Sequence, residues 1–440
     1  MNALLINPWI CDFSAYDLWS KPLGLLRIAS FLKRLKVKVS LIDCLDRFHP
    51  QVDKFLNGRP LTKSTSGSGS YYSEVIEKPS IFKDIPRRYK RYGLPIEIFE
   101  KLLRETKRPD IILVTSGMSY WYLGVFEAIK ILKERFPSVP IILGGIYANI
   151  CFDHAVKNSN ADFVYRGTDI KEILEVISKL TEKEFDYSLI KKENLYLAYE
   201  LYPKLAYITL RTSSGCPFKC SYCGWYILDD RLKQEDPDFV ISEIEYFYNK
   251  FGIRDFSLYD DALLYRAEDH IVRILHGLVK KKIKAFFHTP NGLHIRYINE
   301  KLARLLRETG FIQPRLGLET TDEEQQIATG GKATNKEFLK AIECLRDAGY
   351  DSKEIGVYIM AGIPGQSIEE IKETVKFLSS CRVRIFLEEY SPIPNTPDYE
   401  RSGLLPDADP LLHNNITFSY LYGQDRLQEI KDLVHRLNKR

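Results

Sequence analysis

Apolar residues along the first 180 positions fall into short unbroken runs, each followed by a stretch with helical spacing. Residues 3–7 read as a buried strand, Ala3-Leu4-Leu5-Ile6 closing on Asn7. A loop then leads into 24–35, where Leu25, Ile28, Ala29, Leu32 and Leu35 recur on one helical face. Further strands are predicted over 37–43, 111–116, 140–143 and 162–165, with helices over 121–135 and 170–180. Strands alternating with helices predict a Rossmann-like, doubly wound parallel α/β sheet. Ligands of such sheets bind beyond the carboxyl ends of the strands. Small residues stand there: Thr115-Ser116-Gly117, Gly144-Gly145 and Gly167. Any one of these glycines is ordinary turn chemistry; the series is a candidate ligand shelf.

From Tyr207 the rhythm restarts. Strands are predicted over 208–211, 256–259, 284–289, 315–318, 356–360 and 384–388, with helices such as 236–251, 335–348 and 368–379. Polar or Gly-bearing residues follow nearly every strand, among them Asp260-Asp261, Asn291-Gly292, Glu319-Thr320 and Gly362-Ile363-Pro364-Gly365. In a parallel barrel that end is the active face, and six strands over 205–396 fit a partial (β/α)6 TIM-like barrel.

The expected layout is a first domain, 1–180, with an insertion at 46–108; a linker, 181–204; the partial barrel, 205–396; and a short helical extension, 397–440. Leu427, Ile430, Val434 and Leu437 line one face of its last helix. The insertion carries a Ser/Gly-rich stretch, 63–70, and the run Pro86-Arg87-Arg88-Tyr89-Lys90-Arg91-Tyr92-Gly93. That run reads either as a clamp for an anionic or planar ligand or as a solvated face.

With 440 residues, 45% of them hydrophobic, the chain can bury two or three cores. A net charge of +4 gives no nucleic-acid footprint. The start lacks the basic leader and cleavage site of a signal peptide, and no apolar run reaches membrane-span length. The expected location is the cytoplasm. The 27 Tyr and 23 Phe suit aromatic walls around large planar ligands, although most such side chains fill cores. Neither G-x-G-x-x-G after the first strand nor a P-loop is present.

One loop carries concentrated chemistry. Cys216, Cys220 and Cys223 stand at C-x3-C-x2-C spacing with Tyr222 directly before the last cysteine. Three thiolates from one loop can hold three irons of a [4Fe–4S] cube, leaving the fourth iron open to a small molecule. Structural zinc needs four ligands, usually as two pairs, and there is no second pair here. Eight cysteines in 440 residues lie far below disulfide-scaffold density.

Together with the strand-end motifs, this loop resembles that of radical SAM enzymes carrying an N-terminal cobalamin-binding domain, the B12-binding radical SAM group. Tyr259-Asp260-Asp261, Asn291-Gly292-Leu293, Gly317-Leu318-Glu319-Thr320, Gly362-Ile363-Pro364-Gly365 and the run from Pro392 to Pro397 resemble the family's motifs in order. Asn395 replaces a usual Gly, and Arg166-Gly167-Thr168-Asp169 replaces the common Gly-Glu-x-Glu. In the first domain Pro22-Leu23-Gly24-Leu25-Leu26 and Gly144-Gly145 match. D-x-H-x-x-G is absent; the 9–22 loop is the first place to look for a residue below cobalt.

The resemblance implies a [4Fe–4S] cluster, S-adenosylmethionine (SAM) and cobalamin as cofactors, with Cys216, Cys220 and Cys223 as cluster ligands. It implies SAM contacts from Tyr222, Gly224, Asp260, Asn291, Glu319, Thr320, Gly362 and Pro364. Glu319 reads alternatively as half of a rim salt bridge. Cobalamin contacts are expected from Leu23, Gly24, Thr115, Ser116, Gly117, Gly144, Gly145, Tyr147 and Gly167. The open iron would take the amino and carboxylate groups of SAM, and one electron would release a 5′-deoxyadenosyl radical. Partners implied are a small-molecule substrate, contacted from 46–108 and 397–440 between the domains, and a flavodoxin- or ferredoxin-type electron donor. The expected chemistry is anaerobic methylation of an unactivated carbon or a phosphorus through cobalamin. The alternatives are a non-methylating cyclisation, rearrangement or oxidation, and a corrinoid- or tRNA-binding accessory protein.

Overall fold

The computed structural model describes residues 1–57, 61, 64–190, 195–228, 231–416 and 424–439. Parts of four expected segments lie outside the described residues: 58–60 and 62–63 of the insertion, 191–194 of the linker, 229–230 of the partial barrel, and 417–423 and 440 of the C-terminal extension. The chain divides into two compact units, Met1–Ala206 and Tyr207–Arg440.

In the first unit, β1 (Asn2–Asn7), β2 (Lys38–Asp43), β3 (Ile111–Val114), β4 (Ile141–Leu143) and β5 (Phe163–Val164) form one parallel sheet in the order β5-β4-β3-β1-β2. Strands β1, β3 and β4 are almost wholly apolar because both faces are covered. The order reverses between β1 and β3, and that switch point opens a crevice at the carboxyl ends. Helices α1 (Leu23–Arg34), α2 (Ile96–Glu105), α3 (Tyr122–Arg135) and α4 (Ile170–Thr181) supply covering surface. Ala198 and Tyr199 are buried in this unit, and Tyr202 donates from its hydroxyl to Asp43 at 2.6 Å. The expected linker is therefore part of the first unit.

The expected insertion is also shorter and more ordered than its composition predicts. Helix α2 buries Ile98, Phe99 and Leu103 and connects β2 to β3. Lys90–Tyr92 pairs antiparallel with both Ile10–Asp12 and Ser73–Val75. In the basic–aromatic run Arg88 is exposed, as a solvated face requires, but the tyrosines and Arg91 are engaged within the unit. Tyr89 and Tyr92 are buried, donating to the carbonyls of Cys11 and Phe13. Arg91 pairs with Glu74 and, at 2.6 Å, with Glu127. The 9–22 loop is held by the same network. Trp121 donates from Nε1 to Asp12 at 2.7 Å, and the buried Arg47 guanidinium meets buried Asp17 at 3.0 Å.

In the second unit, β6 (Ile208–Leu210), β7 (Asp255–Leu258) and β8 (Phe286–His288) form one parallel sheet. A second is formed by β9 (Arg315–Glu319), β10 (Gly356–Ala361) and β11 (Arg384–Glu389). Single parallel bridges, Phe287↔Phe311 and Leu293↔Leu316, stitch the two. All six strands of these two sheets therefore point their carboxyl ends the same way. Between them run α5 (Pro237–Lys250), α6 (Ile271–Lys280), α7 (Glu300–Thr309), α8 (Asn335–Asp347) and α9 (Ile368–Ser380). Strand β11 is an edge, and the last helix, α10 (Gln424–Asn438), covers it. Asn438 accepts from the Ile385 amide at 2.9 Å and donates to the Ile385 carbonyl at 2.8 Å, replacing the strand neighbour that an edge lacks. The C-terminal extension is in this way built into the unit rather than appended. No helix among the described residues is long and apolar enough to cross a membrane.

Removing one member of a buried ion pair leaves the other charge uncompensated and typically costs about 3–5 kcal/mol. Arg47→Met is therefore expected to lower the first unit's free energy of unfolding by that order, seen in urea titration as a lower midpoint. A midpoint matching the parent protein would show that the Asp17 pairing carries no such weight.

Candidate active site

The cysteine loop leaves the carboxyl end of β6, and its entrance is clamped before the first thiol. Ser213–Ser214 pairs antiparallel with Lys233–Gln234 across the loop's neck. Beneath the neck lies the Asp260-Asp261 pair that follows β7. Asp260 is buried, and its carboxylate accepts from Thr212 Oγ1 and Ser213 Oγ, each at 2.7 Å, and from the Thr212 amide at 3.2 Å. Asp261 accepts from the Gly215 amide at 2.9 Å and pairs with Arg211. A buried carboxylate is tolerated only when satisfied in this way. Expected as a SAM ligand, Asp260 is instead engaged in holding the loop.

Two further segments grip the far side of the loop. Ser221 donates from its hydroxyl to buried Asp398 at 2.8 Å, and the Asp398 amide returns a bond to the Ser221 carbonyl at 3.1 Å. Gly224 lies so close to Ile393 that an added Cβ would sit 2.7 Å from Cγ2. The Ser221 amide donates to Thr329, and Gly330 packs against the backbone of Lys219 and Cys220. Phe218, at the loop's centre, stacks on buried His294 with ring centroids 4.6 Å apart. Burial, with Lys332 and Arg296 adding to it, lowers the His294 pKa to about 3, so this imidazole is neutral.

Cys220 is buried; Cys216 and Cys223 are half-buried. Burial raises all three thiols, Cys223 to about 12. Iron coordination reverses that preference, because a bound cation takes thiolate outright. The Tyr222 hydroxyl is buried without a hydrogen bond of normal length, yet it lies toward Cys220 and would favour its ionised form. Among the described residues no three ligating side chains converge on a single point. A cube does not require that, since each thiolate holds a different iron. Three thiols from one braced loop, with a polar atom buried among them and lacking a normal partner, fit an iron–sulfur cluster.

Above β9 the chain does something its motif does not announce. Glu319 adopts φ 70°, the left-handed region, at an irregularity in the β9–β10 register. Its Oε1 accepts from Lys332 Nζ at 2.9 Å, so the rim-salt-bridge reading of Glu319 describes the observed geometry. Thr320 is buried, and its hydroxyl accepts from the Asp322 amide. Asn291 is exposed and reaches the Asp260 carbonyl at 3.3 Å. The Gly362 amide donates to Gln366 at 2.9 Å, while Pro364 is half-buried. The supports Asp398 and Lys332 carry no sequence signal, while Ile393 lies inside the motif-like run from Pro392 to Pro397. The only other hint is Gly330-Gly331, two residues that let the chain close on the cysteine loop.

In the first unit the expected cobalamin residues separate into two groups. Ser116, Gly117, Gly145 and Tyr147 lock two strand-end loops together. Ser116 donates to the Gly144 carbonyl at 2.6 Å, the Ile146 and Tyr147 amides donate to Ser116 and Gly117, and a Cβ on Gly145 would lie 2.4 Å from Ser116 O. Tyr147 is fully buried, stacked on Tyr122, with its hydroxyl 2.6 Å from His154. Its expected ligand contact is therefore replaced by core packing. By contrast, a Cβ added at Gly24 or Gly144 meets nothing within 4 Å. Thr115 and Leu23 are half-buried. Gly167 belongs to the loop in which Asp169 caps α4, accepting from the Lys171 and Glu172 amides. The open backbone at Gly24 and Gly144 fits a large ligand at the switch point.

Residues 210–378 match the family model of the radical SAM superfamily. The chain therefore carries a radical SAM domain, and that domain implies a [4Fe–4S] cluster and SAM. Among curated relatives, an uncharacterized methyltransferase of Pyrococcus horikoshii is 24% identical over 302 residues, 61% of this chain and 64% of that protein. The anaerobic magnesium-protoporphyrin IX monomethyl ester cyclase of Rubrivivax gelatinosus is 22% identical over 321 residues, 64% of this chain and 56% of the cyclase. The matches thus span less than two thirds of either relative. Among solved structures, the radical SAM methyltransferase TsrM from Kitasatospora setae, with cobalamin and a [4Fe–4S] cluster bound, has a TM-score of 0.63 at 14% identity. That likeness covers 90% of this chain and 76% of TsrM. The cobalamin-dependent radical enzyme OxsB, bound to aqua-cobalamin and SAM, has a TM-score of 0.57 at 15% identity, covering 93% of this chain and 56% of OxsB. At these identities the likeness is one of fold.

Substituting Cys216, Cys220 or Cys223 by Ala is expected to reduce iron in the anaerobically reconstituted protein to background. Asp260→Ala should also lower iron content although every thiol remains, because it frees the loop's neck. Full iron loading of Asp260→Ala, measured by colorimetric assay, would remove the supporting role assigned to that carboxylate.

Proposed function

We propose that this protein is a cobalamin-dependent radical SAM enzyme that methylates an unactivated carbon or phosphorus of a small molecule. The observation that carries the reading is the pairing of a braced C-x3-C-x2-C loop with a preceding parallel sheet whose switch-point backbone is open at Gly24 and Gly144. The six parallel strands of the second unit are read as a partial (β/α)6 barrel and the first unit as a Rossmann-like cobalamin domain. When bound, the cluster and SAM supply a 5′-deoxyadenosyl radical, and cobalamin supplies a methyl carrier.

The chain's own residues do the positioning. Cys216, Cys220 and Cys223 hold the cluster, while Asp260, Asp261 and Asp398 keep the loop from moving. Glu319 accepts hydrogen bonds from the polar groups of SAM. Exposed Asn291 faces the same strand-end surface, and Gly362 lets backbone approach the adenine. Half-buried Phe218, Tyr265 and Tyr297 pack around buried His294 and reduce water access on that flank, which protects a radical from quenching.

Similarity to the magnesium-protoporphyrin cyclase favours a second reading, in which the same site cyclises or oxidises its substrate without methylating it. An anaerobic assay with reconstituted cluster, cobalamin and reductant separates the two. Methylation is expected to yield S-adenosylhomocysteine together with 5′-deoxyadenosine. Deoxyadenosine alone would overturn the methylation reading and leave the cyclase-like one; neither product would overturn both.

A further inference from the structure

Lys332 sits where three separate lines of packing meet. Its ammonium lies 2.9 Å from Glu319 Oε1. It also lies directly over Gly317, where an added Cβ would approach Nζ to 2.6 Å. The two residues before it, Gly330 and Gly331, run along the cysteine loop, with Gly330 against the backbone of Lys219 and Cys220. The Gly331 carbonyl is held by Arg296 at 2.6 Å. The lysine is thus delivered to the cysteine loop by a braced turn, not by a free surface side chain.

Its electrical surroundings are consistent with that geometry. Burial alone would lower the Lys332 pKa, but Glu319 and then Cys220 oppose it and bring it to about 12. Each of the three cluster cysteines, in turn, feels Lys332 as a neighbouring positive charge. None of the motifs that define the cysteine loop or the strand ends includes this residue.

We propose that Lys332 is a positioning residue for the iron–sulfur site: it fixes the strained Glu319 and supplies the cation that stabilises the reduced state of a cluster held by Cys216, Cys220 and Cys223. An oxidised cubane core on three thiolates carries one net negative charge and gains a second when it takes one electron, so net charge and nearby fixed charge set its potential. In a partly buried site a cation close to the thiolates favours the more negative form. Glu319 opposes it, and the pair therefore balances the local field while aiming the carboxylate. The electron comes from a low-potential donor of the ferredoxin or flavodoxin class, which is oxidised by one electron as the cluster is reduced. The inference rests on the cluster reading given above.

The test uses full-length protein reconstituted anaerobically with iron and sulfide, with iron content measured first. Potentials are then read by mediated redox titration followed by electron paramagnetic resonance. Lys332→Met should load iron and titrate at a lower potential than the parent. Lys332→Arg should restore the parental value, and Glu319→Gln should shift the potential the opposite way, upward. A merely structural lysine would change iron loading or stability without this opposed pair of shifts. Full iron loading with an unmoved potential in Lys332→Met overturns the proposal, as does a downward shift in Glu319→Gln. Should Lys332→Met fail to load iron, Lys332→Gln and Glu319→Gln decide it by the same opposed signs. Absence of iron in the unmodified protein would overturn the cluster reading itself, a result distinct from an unmoved potential.

Discussion

The site depends on one buried carboxylate. Asp260 stands just past β7, where water is excluded, and must therefore be fully hydrogen-bonded. The groups that satisfy it belong to Thr212 and Ser213, the residues that lead into the cysteine loop. Satisfying the carboxylate and fixing the loop are thus a single event. Asp261 repeats the arrangement one step further along through Gly215. From this anchor the loop projects toward two further segments, Thr329 beyond β9 and Ile393 with Asp398 beyond β11. A flexible metal loop would carry its thiols in many arrangements; this one is held at both neck and crown.

The elements were largely legible from the sequence because apolar runs and helical spacing are local signals. Strand ends differ by a residue or two, as where 284–289 narrows to Phe286–His288. The segment 46–108 was not legible, and the reason is range. Lys90–Tyr92 pairs with Ile10–Asp12 from far away in the chain, so nothing near Tyr89 or Tyr92 announces that they will be buried. Within the site, residue types were legible but jobs were not. An acid after a strand can bind a ligand or brace a loop, and only its partners decide. Tyr147 illustrates the same point, since burial and His154 settle what a tyrosine beside two glycines cannot.

Departures from an expected motif can be judged by the backbone conformation they must adopt. Asn395 occupies a position where glycine is usual, and it has φ 65°. Asparagine is among the few residues that tolerate that region, so the turn is kept. At 166–169 the residues differ more, yet Asp169 caps α4 with two amide bonds and the helix starts where the fold needs it. Both changes alter side chains while leaving the backbone path usable.

The same logic explains why the cysteine spacing points to a chemistry without pointing to a substrate. The residues that brace the loop are buried and answer to packing and hydrogen-bond satisfaction, constraints that any substrate would share. A substrate would instead meet exposed strand-end positions such as Asn291, whose side-chain amide reaches the Asp260 carbonyl at 3.3 Å. Such positions can change freely while the fold and the cluster loop persist. A methyltransferase and a cyclase can therefore both resemble this chain at similar identity, since residues chosen by packing and hydrogen bonding do not depend on the substrate.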